Sequence, residues 1–148
     1  MIPLLGGSLL FAVVLLWAAP PTPRCDLFRH GKFEERVDER QAAITGKKNG
    51  SRTFRQGVSQ WDHDRDTGLK VRYRVLWRKD CTFLLFDRKV RSGLPDRVWA
   101  ESDTITVHIT DTWEEGFRYE QSSNFSDRTS SGTVRRIVPQ GFGISVGL

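Results

Sequence analysis

From Leu69 to Leu85 the chain alternates so regularly that a β-ribbon is the one element that suits it. Leu69, Val71, Tyr73, Val75 and Trp77 occupy every second position, and Lys70, Arg72, Arg74 and Arg78 fill most of the places between. A period of two sends one set to each face of a strand. β-branched and aromatic side chains suit the covered face. After Arg78-Lys79-Asp80 the alternation resumes at Cys81, Phe83 and Leu85, so the two runs read as a β-hairpin. The expectation is that Tyr73 and Trp77 turn inward while Arg72 and Arg74 stay wet.

The rest of the chain reads as further short strands. Phe33–Val37 is expected as a strand, with Glu34, Glu35, Arg36 and Asp38 keeping its outer face wet. Gln41–Thr45 reads as a short strand continuing it. Asn49-Gly50 marks a turn, and Ser51–Trp61 reads as one strand leading into a polar linker, Asp62–Gly68. Gly93-Leu94-Pro95-Asp96 forms a loop. In Asp103–Asp111, Ile105, Val107 and Ile109 face one way and Thr104, Thr106, His108 and Thr110 the other. Trp113–Gly116 closes a second hairpin, with Phe117 and Tyr119 on the return. Ser122–Gly132 reads as a polar, mobile loop and Thr133–Val138 as a last short strand. No stretch beyond the N-terminal apolar run has helical periodicity. About seven to nine short strands with regular turn signals define an all-β barrel or sandwich.

Residues 1–23 carry no charged side chain, and Leu4–Trp17 is apolar. That run is short of the roughly 20 residues a membrane span needs and is followed by small residues, as in a secretory signal peptide. Cleavage is expected after Ala18; an uncleaved N-terminal anchor is the alternative. All 23 basic and 18 acidic residues follow, giving a net charge of +5. About 125 residues remain, enough for one domain with a modest core. The division is 1–23 signal peptide and Pro-rich junction, 24–138 β-domain, and 139–148 Gly-rich tail. Export to the periplasm, the cell envelope or the medium is expected. In an oxidising compartment the two cysteines, Cys25 and Cys81, favour a disulfide bond. A lipid on Cys25 is the rival, poorly matched by the preceding Thr22-Pro23-Arg24.

Several motifs in order resemble a family of small exported bacterial proteins of unknown function. They are Cys25 followed by Gly31-Lys32-Phe33; Arg55 with Gln60-Trp61-Asp62; Val75-Leu76-Trp77; Asp80-Cys81-Thr82-Phe83-Leu84-Leu85; and the hairpin Ile105–Tyr119. The resemblance spans Cys25 to Tyr119. It implies a lipocalin-like, up-and-down antiparallel meander, a barrel or half-open barrel. Proteins with this pattern sometimes carry a topoisomerase name, but about 125 residues cannot house strand passage. The family supplies no catalytic residues.

Candidate sites are few. Asp62, Asp64 and Asp66 alternate like calcium ligands, but Thr67 and Tyr73 stand where an EF-hand needs Gly and Glu; a solvated acidic connection is expected. His30, His63 and His108 lack metal-ligand spacing, and no nucleophile elbow occurs. No catalytic or metal site and no cofactor is expected. A barrel of around eight strands either packs solid or holds one small ligand. Val71, Tyr73, Val75, Trp77, Phe83, Ile105, Val107, Phe117 and Tyr119 would line that interior. Lys70, Arg72, Arg74, Arg78 and Lys79 form a basic stripe able to meet an anionic polymer or membrane surface. The stripe's own aromatics face the other way, which argues against stacking on nucleic acid. Asn49-Gly-Ser and Asn124-Phe-Ser fit the glycosylation pattern, chance matches if the resemblance to bacterial proteins holds. The leading functional expectation is a non-enzymatic envelope protein that takes a small apolar ligand or docks on an envelope partner. The alternatives are a solid-core structural or interaction module and a binder of anionic polymer or membrane surface.

Overall fold

Alternation becomes a wall once each strand finds its neighbour. The computed structural model describes residues 18–138; Leu4–Trp17, expected as the core of a signal peptide, and the Gly-rich tail lie outside the described residues. A 3₁₀ turn, Cys25–Phe28, precedes β1 (Gly31–Glu35), α1 (Glu39–Thr45), β2 (Ser51–Gln56), β3 (Ser59–Asp64), β4 (Lys70–Trp77), β5 (Thr82–Ser92), β6 (Ile105–Trp113), β7 (Gly116–Ser123) and β8 (Ser126–Arg136). Each strand pairs antiparallel with the next, and β8 returns to β1, so the meander closes into an eight-stranded barrel. The β4–β5 hairpin sits as its alternation requires. Val71, Tyr73 and Val75 are buried, Trp77 is half-buried and packs on Phe83, and Lys70 and Arg74 are exposed.

One end of the barrel is sealed. Phe28 and Phe33 are 0% exposed, and the Phe28 ring lies 5.0 Å from that of Phe117. Arg136, at the end of β8, crosses the Phe28 ring and donates a hydrogen bond to the Leu27 carbonyl. The Cys25–Cys81 disulfide ties this turn to the β4–β5 connection. The bond is compatible with an exported chain. The opposite end, where β1 leads to α1, β3 to β4, β5 to β6 and β7 to β8, is the mouth.

Four elements differ from the sequence reading. Gln41–Thr45 belongs to a helix, not a strand. The Asp38 carboxylate accepts the Gln41 N–H at 2.7 Å, and the Gln41 side chain accepts the Asp38 N–H. This reciprocal capping stabilises a turn of helix that periodicity could not reveal in seven residues. Ser51–Trp61 is two strands joined at Gly57-Val58, where Gly57 has φ 58°. A positive φ at the first turn residue suits a two-residue hairpin. The linker begins later than expected, because Asp62–Asp64 stays in β3. Ser122–Gly132 is the β7–β8 hairpin rather than a loop, and Thr133–Arg136 is merely the end of an eleven-residue β8. The Ser126–Ser131 side chains are all exposed. The ladder to β7, rather than apolar burial, holds that half of the strand, so the sequence carried no hydrophobic signal there.

Replacing both cysteines with serine should cost about 4 kcal/mol in the chain-entropy picture of a loop this long. Denaturant unfolding of the parent and the Cys25→Ser/Cys81→Ser variant measures it as a lowered midpoint, with a steeper slope because the unfolded chain without the cross-link exposes more surface.

Candidate functional site: the polar lumen

Period two continues past the apolar positions, and so it carries polar groups inward. On β1 the residue after Phe33 on the inner face is Glu35. β2 contributes Ser51, Thr53 and Arg55, β3 contributes Gln60 and Asp62, and β7 contributes Tyr119 and Gln121. Together with the apolar floor of Phe33, Phe83, Leu85, Val107, Phe117 and Val134 they surround a cavity of about 100 Å³. Glu35 and Asp62, expected on wet surfaces, thus face the lumen instead. The sequence reading places Glu35 in a strand and Asp62 in the linker; which face closes inward is decided by β1 and β3 joining a barrel rather than an open sheet.

Two connected hydrogen-bond sets organise the wall. In the first, the Tyr119 hydroxyl donates to Glu35 at 2.7 Å and the Ser51 hydroxyl to the other oxygen at 3.3 Å. Gly132 stands opposite Tyr119 on β8, where an added Cβ would come within 2.6 Å of Glu35 Oε1 and 2.7 Å of the Tyr119 hydroxyl. Its missing side chain gives that pair room. In the second set, Asp62 accepts from the Thr53 hydroxyl at 2.8 Å and from the Gln60 amide at 3.0 and 3.1 Å. The Gln60 carbonyl accepts from Arg55 Nε at 2.8 Å, and Arg55 Nη1 donates to the Phe28 carbonyl at 2.7 Å. Arg55 is 3% exposed, and its guanidinium lies 4.3 Å from the centre of the Phe83 ring.

Burial governs the charges. Desolvation lowers the Arg55 guanidinium to about 10, with Asp62 opposing the shift. Desolvation also raises the Asp62 carboxyl, against the Thr53 and Gln60 hydrogen bonds and the attraction of Arg55. Both groups therefore move toward their neutral forms: loss of water outweighs their mutual attraction. The Tyr119 hydroxyl is held above its ordinary value by burial and by the charge and hydrogen bond of Glu35.

The lumen opens in two directions. At the mouth, Ser51, Asp62 and Gln121 also border a cavity of about 590 Å³ walled by Val71, Tyr73, Arg88, Leu94 and Asp96. Burial pushes the Tyr73 hydroxyl up to about 12, with Asp62 adding to the rise and Arg88 opposing it. Arg88 pairs with Asp96 at 3.6 Å and lies 5.1 Å from the Trp99 ring. Toward α1, Glu35, Ser51, Tyr119 and Gln121 also border a side cavity of about 290 Å³ beside Gln41, Ser130 and Ser131.

Of the residues expected to line a ligand, Phe83, Val107, Phe117 and Tyr119 border the lumen, and Val71 and Tyr73 border the mouth. Val75 is buried in the core, and Trp77 and Ile105 pack against it without bordering the lumen. In the basic stripe, Lys70, Arg74, Arg78 and Lys79 are exposed, while Arg72 is half-buried and donates to the Ser59 hydroxyl at 3.1 Å. The alternating aspartates do not converge. Asp62 points into the lumen. Asp64 pairs with Lys47 at 3.3 Å, and Asp66 accepts the backbone N–H groups of Lys48, Asn49 and Gly50. Among the described residues no three His, Cys, Asp or Glu side chains gather as a metal site. His30 accepts from the Gly57 N–H, and His108 bonds the Thr82 hydroxyl. Sequence reading missed Glu35, Asp62 and Tyr119 as one cluster, and it missed Phe54 and Trp61, which share the outer face of the stripe. The Gly57 turn, which fixes the phase of β2 and β3, was the signal for Phe54 and Trp61; it carries no information on Glu35 in β1 or Tyr119 in β7.

The fold and site define a closed eight-stranded barrel with one sealed end and a hydrogen-bonding lumen. No family model, curated protein or solved structure matches the chain.

Between the ordinary aspartate range near about 3.9 and the raised value of Asp62, the folded chain binds more protons than the unfolded one. Stability from this group is full at acid pH and falls as pH rises through the raised value, by at most about 1.4 kcal/mol per pH unit. Asp62→Asn keeps an acceptor for Thr53 and should be the more stable protein at pH 7, with the gain vanishing toward pH 4. Denaturant unfolding at several pH values measures the difference.

Proposed function

We propose that the chain is a non-enzymatic, exported binding protein of the cell envelope, and that its lumen takes the polar end of a small, donor-bearing molecule. One observation carries the reading: ionisable groups line a cavity that apolar residues would fill more stably. Desolvating Arg55 and Asp62 costs free energy, and replacing such buried groups by packed apolar side chains is often stabilising. Keeping them around open space is what a binding site requires. Glu35 and Asp62 supply acceptors, while two of the three guanidinium nitrogens of Arg55 are already engaged within the fold. The lumen therefore suits an ammonium, amidinium or amide better than a carboxylate. Its volume of about 100 Å³ lies below the usual 300–1,000 Å³ of ligand pockets. A small polar group fits it better than the apolar ligand expected at first, and the larger mouth accommodates the remainder. The disulfide supports placement outside the cytoplasm.

The same small volume favours a second reading, a structural or interaction module whose core is effectively solid.

Native mass spectrometry of the purified full chain, with thermal-shift screening of small amines, amides and carboxylates, separates the two. Under the binding reading a donor-bearing compound is retained or raises Tm, and Glu35→Gln weakens it about tenfold or more, as expected for loss of a charged acceptor. If no compound of any class is retained or raises Tm, the module reading stands.

A further inference from the structure

We propose that the outer face of β1–β4 is a docking surface for anionic lipid headgroups. The strand register builds this face from residues far apart in sequence. Lys32, Phe54, Trp61 and Arg72 stand side by side across four strands, and Arg52, His63 and Lys70 form the adjacent row toward the mouth. A groove of about 480 Å³ is bordered by Lys32, Phe54 and Trp61 of the first row and by Arg52, His63 and Lys70 of the second, and it extends to Arg91 on β5. Lys32, Arg52, Lys70, Arg72 and Arg91 form no salt bridge among the described residues; those that occur use other cations. Glu34, the acid of the Arg52 row, is already held by Arg65 and Arg135. Five uncompensated cations around exposed aromatic surface are complementary to an anionic partner.

The aromatic geometry selects the partner. The Phe54 and Trp61 rings stack at 5.4 Å and 27°, and the Arg72 guanidinium lies 5.9 Å from the Trp61 ring on the neighbouring strand. The flanks of Trp61 are thus occupied by its own neighbours. A nucleobase or a sugar needs a free ring face on which to stack. Here Trp61 has a neighbour on each flank, and what remains outward is the Phe54 ring, 37% exposed, among Lys and Arg side chains. Aromatic side chains flanked by Lys and Arg are the composition that settles at the headgroup layer of a bilayer. Anionic lipid then supplies the counter-charge, an attraction that falls off within a Debye length and is weakened by salt. This inference is independent of the lumen: it needs neither Glu35 nor Asp62.

The test is co-sedimentation of the full chain with phosphatidylcholine vesicles, with and without phosphatidylglycerol. The apolar run Leu4–Trp17, where retained, partitions into both, so the ratio between compositions isolates the charged face. Binding is expected to rise with phosphatidylglycerol and to fall with salt. Arg52→Gln/Lys70→Gln should lower that anionic component about 25-fold, about fivefold for each cation. Phe54→Ala should reduce it further. Arg118→Gln, an exposed cation on β7, should leave it unchanged. Equal loss with Arg118→Gln would show bulk charge rather than a face and overturn the proposal. So would equal binding to both vesicle types, or binding of a single-stranded oligonucleotide in place of vesicles. All substituted side chains are exposed, and matching thermal melts confirm that each variant is folded.

Discussion

Three residue pairs turn this sheet into a barrel. β1 meets β8 through Phe33 with Arg136, Glu34 with Arg135 and Glu35 with Val134, and just past the strand end the Ile137 N–H donates to the Lys32 carbonyl at 2.8 Å. Every other property of the interior follows from that short seam. It fixes Phe33 as floor and Glu35 as wall, and it brings Arg136 over the 3₁₀ turn so that its side chain holds the Leu27 carbonyl. A second contact outside the barrel, Arg135 with Glu34 at 3.1 Å, supports the same seam. So few ladder bonds would be a weak closure on their own. The sealed end compensates by packing Phe28 against Phe33 and Phe117 and by tying Cys25 to the far side of the barrel at Cys81.

The interior is divided along its axis. Toward the sealed end aromatic and aliphatic groups exclude water, and burial there is the main source of stability. Toward the mouth the same inner face carries Glu35, Asp62, Gln60 and Tyr119. Each is satisfied by a neighbour, which is the condition on which polar groups are tolerated in a low-dielectric space. Arg55 marks the boundary, with one nitrogen on the Phe28 carbonyl of the sealed end and another on Gln60 of the polar wall. The division lets one small domain combine an apolar base with a hydrogen-bonding upper half.

What the sequence revealed follows from how strongly each element expresses its period. The β4–β5 hairpin and β6 alternate over many residues, and their faces were legible outright. The disulfide was legible from cysteine number and context. β8 was not, because Ser126 to Ser131 give no apolar beat and their order comes from backbone pairing. The helix was too short for periodicity, although the Asp38–Gln41 capping pair was present in the residues. The lumen cluster was hidden for a different reason. Glu35 and Asp62 look like surface carboxylates locally, and they become interior only when β1 and β3 take their places in a closed wall. Phe54 and Trp61 are the mirror case: aromatic residues, a type that most often fills a core, turned outward by the phase that Gly57 sets.

The shortness of the seam leaves one flank of β8 uncovered. From Ser126 to Thr133 the strand has a ladder partner in β7 alone; on the other side Gln41 of α1 reaches the Ser131 carbonyl at 3.5 Å. Unpaired backbone of this kind is a template onto which another chain can add a strand. Asp127, Arg128 and the run of serines and threonines around them are a poor invitation to such templating, since they offer a newcomer no apolar strip to cover. The composition that made this segment look like a loop thus gives an open strand edge little with which to template its own copies.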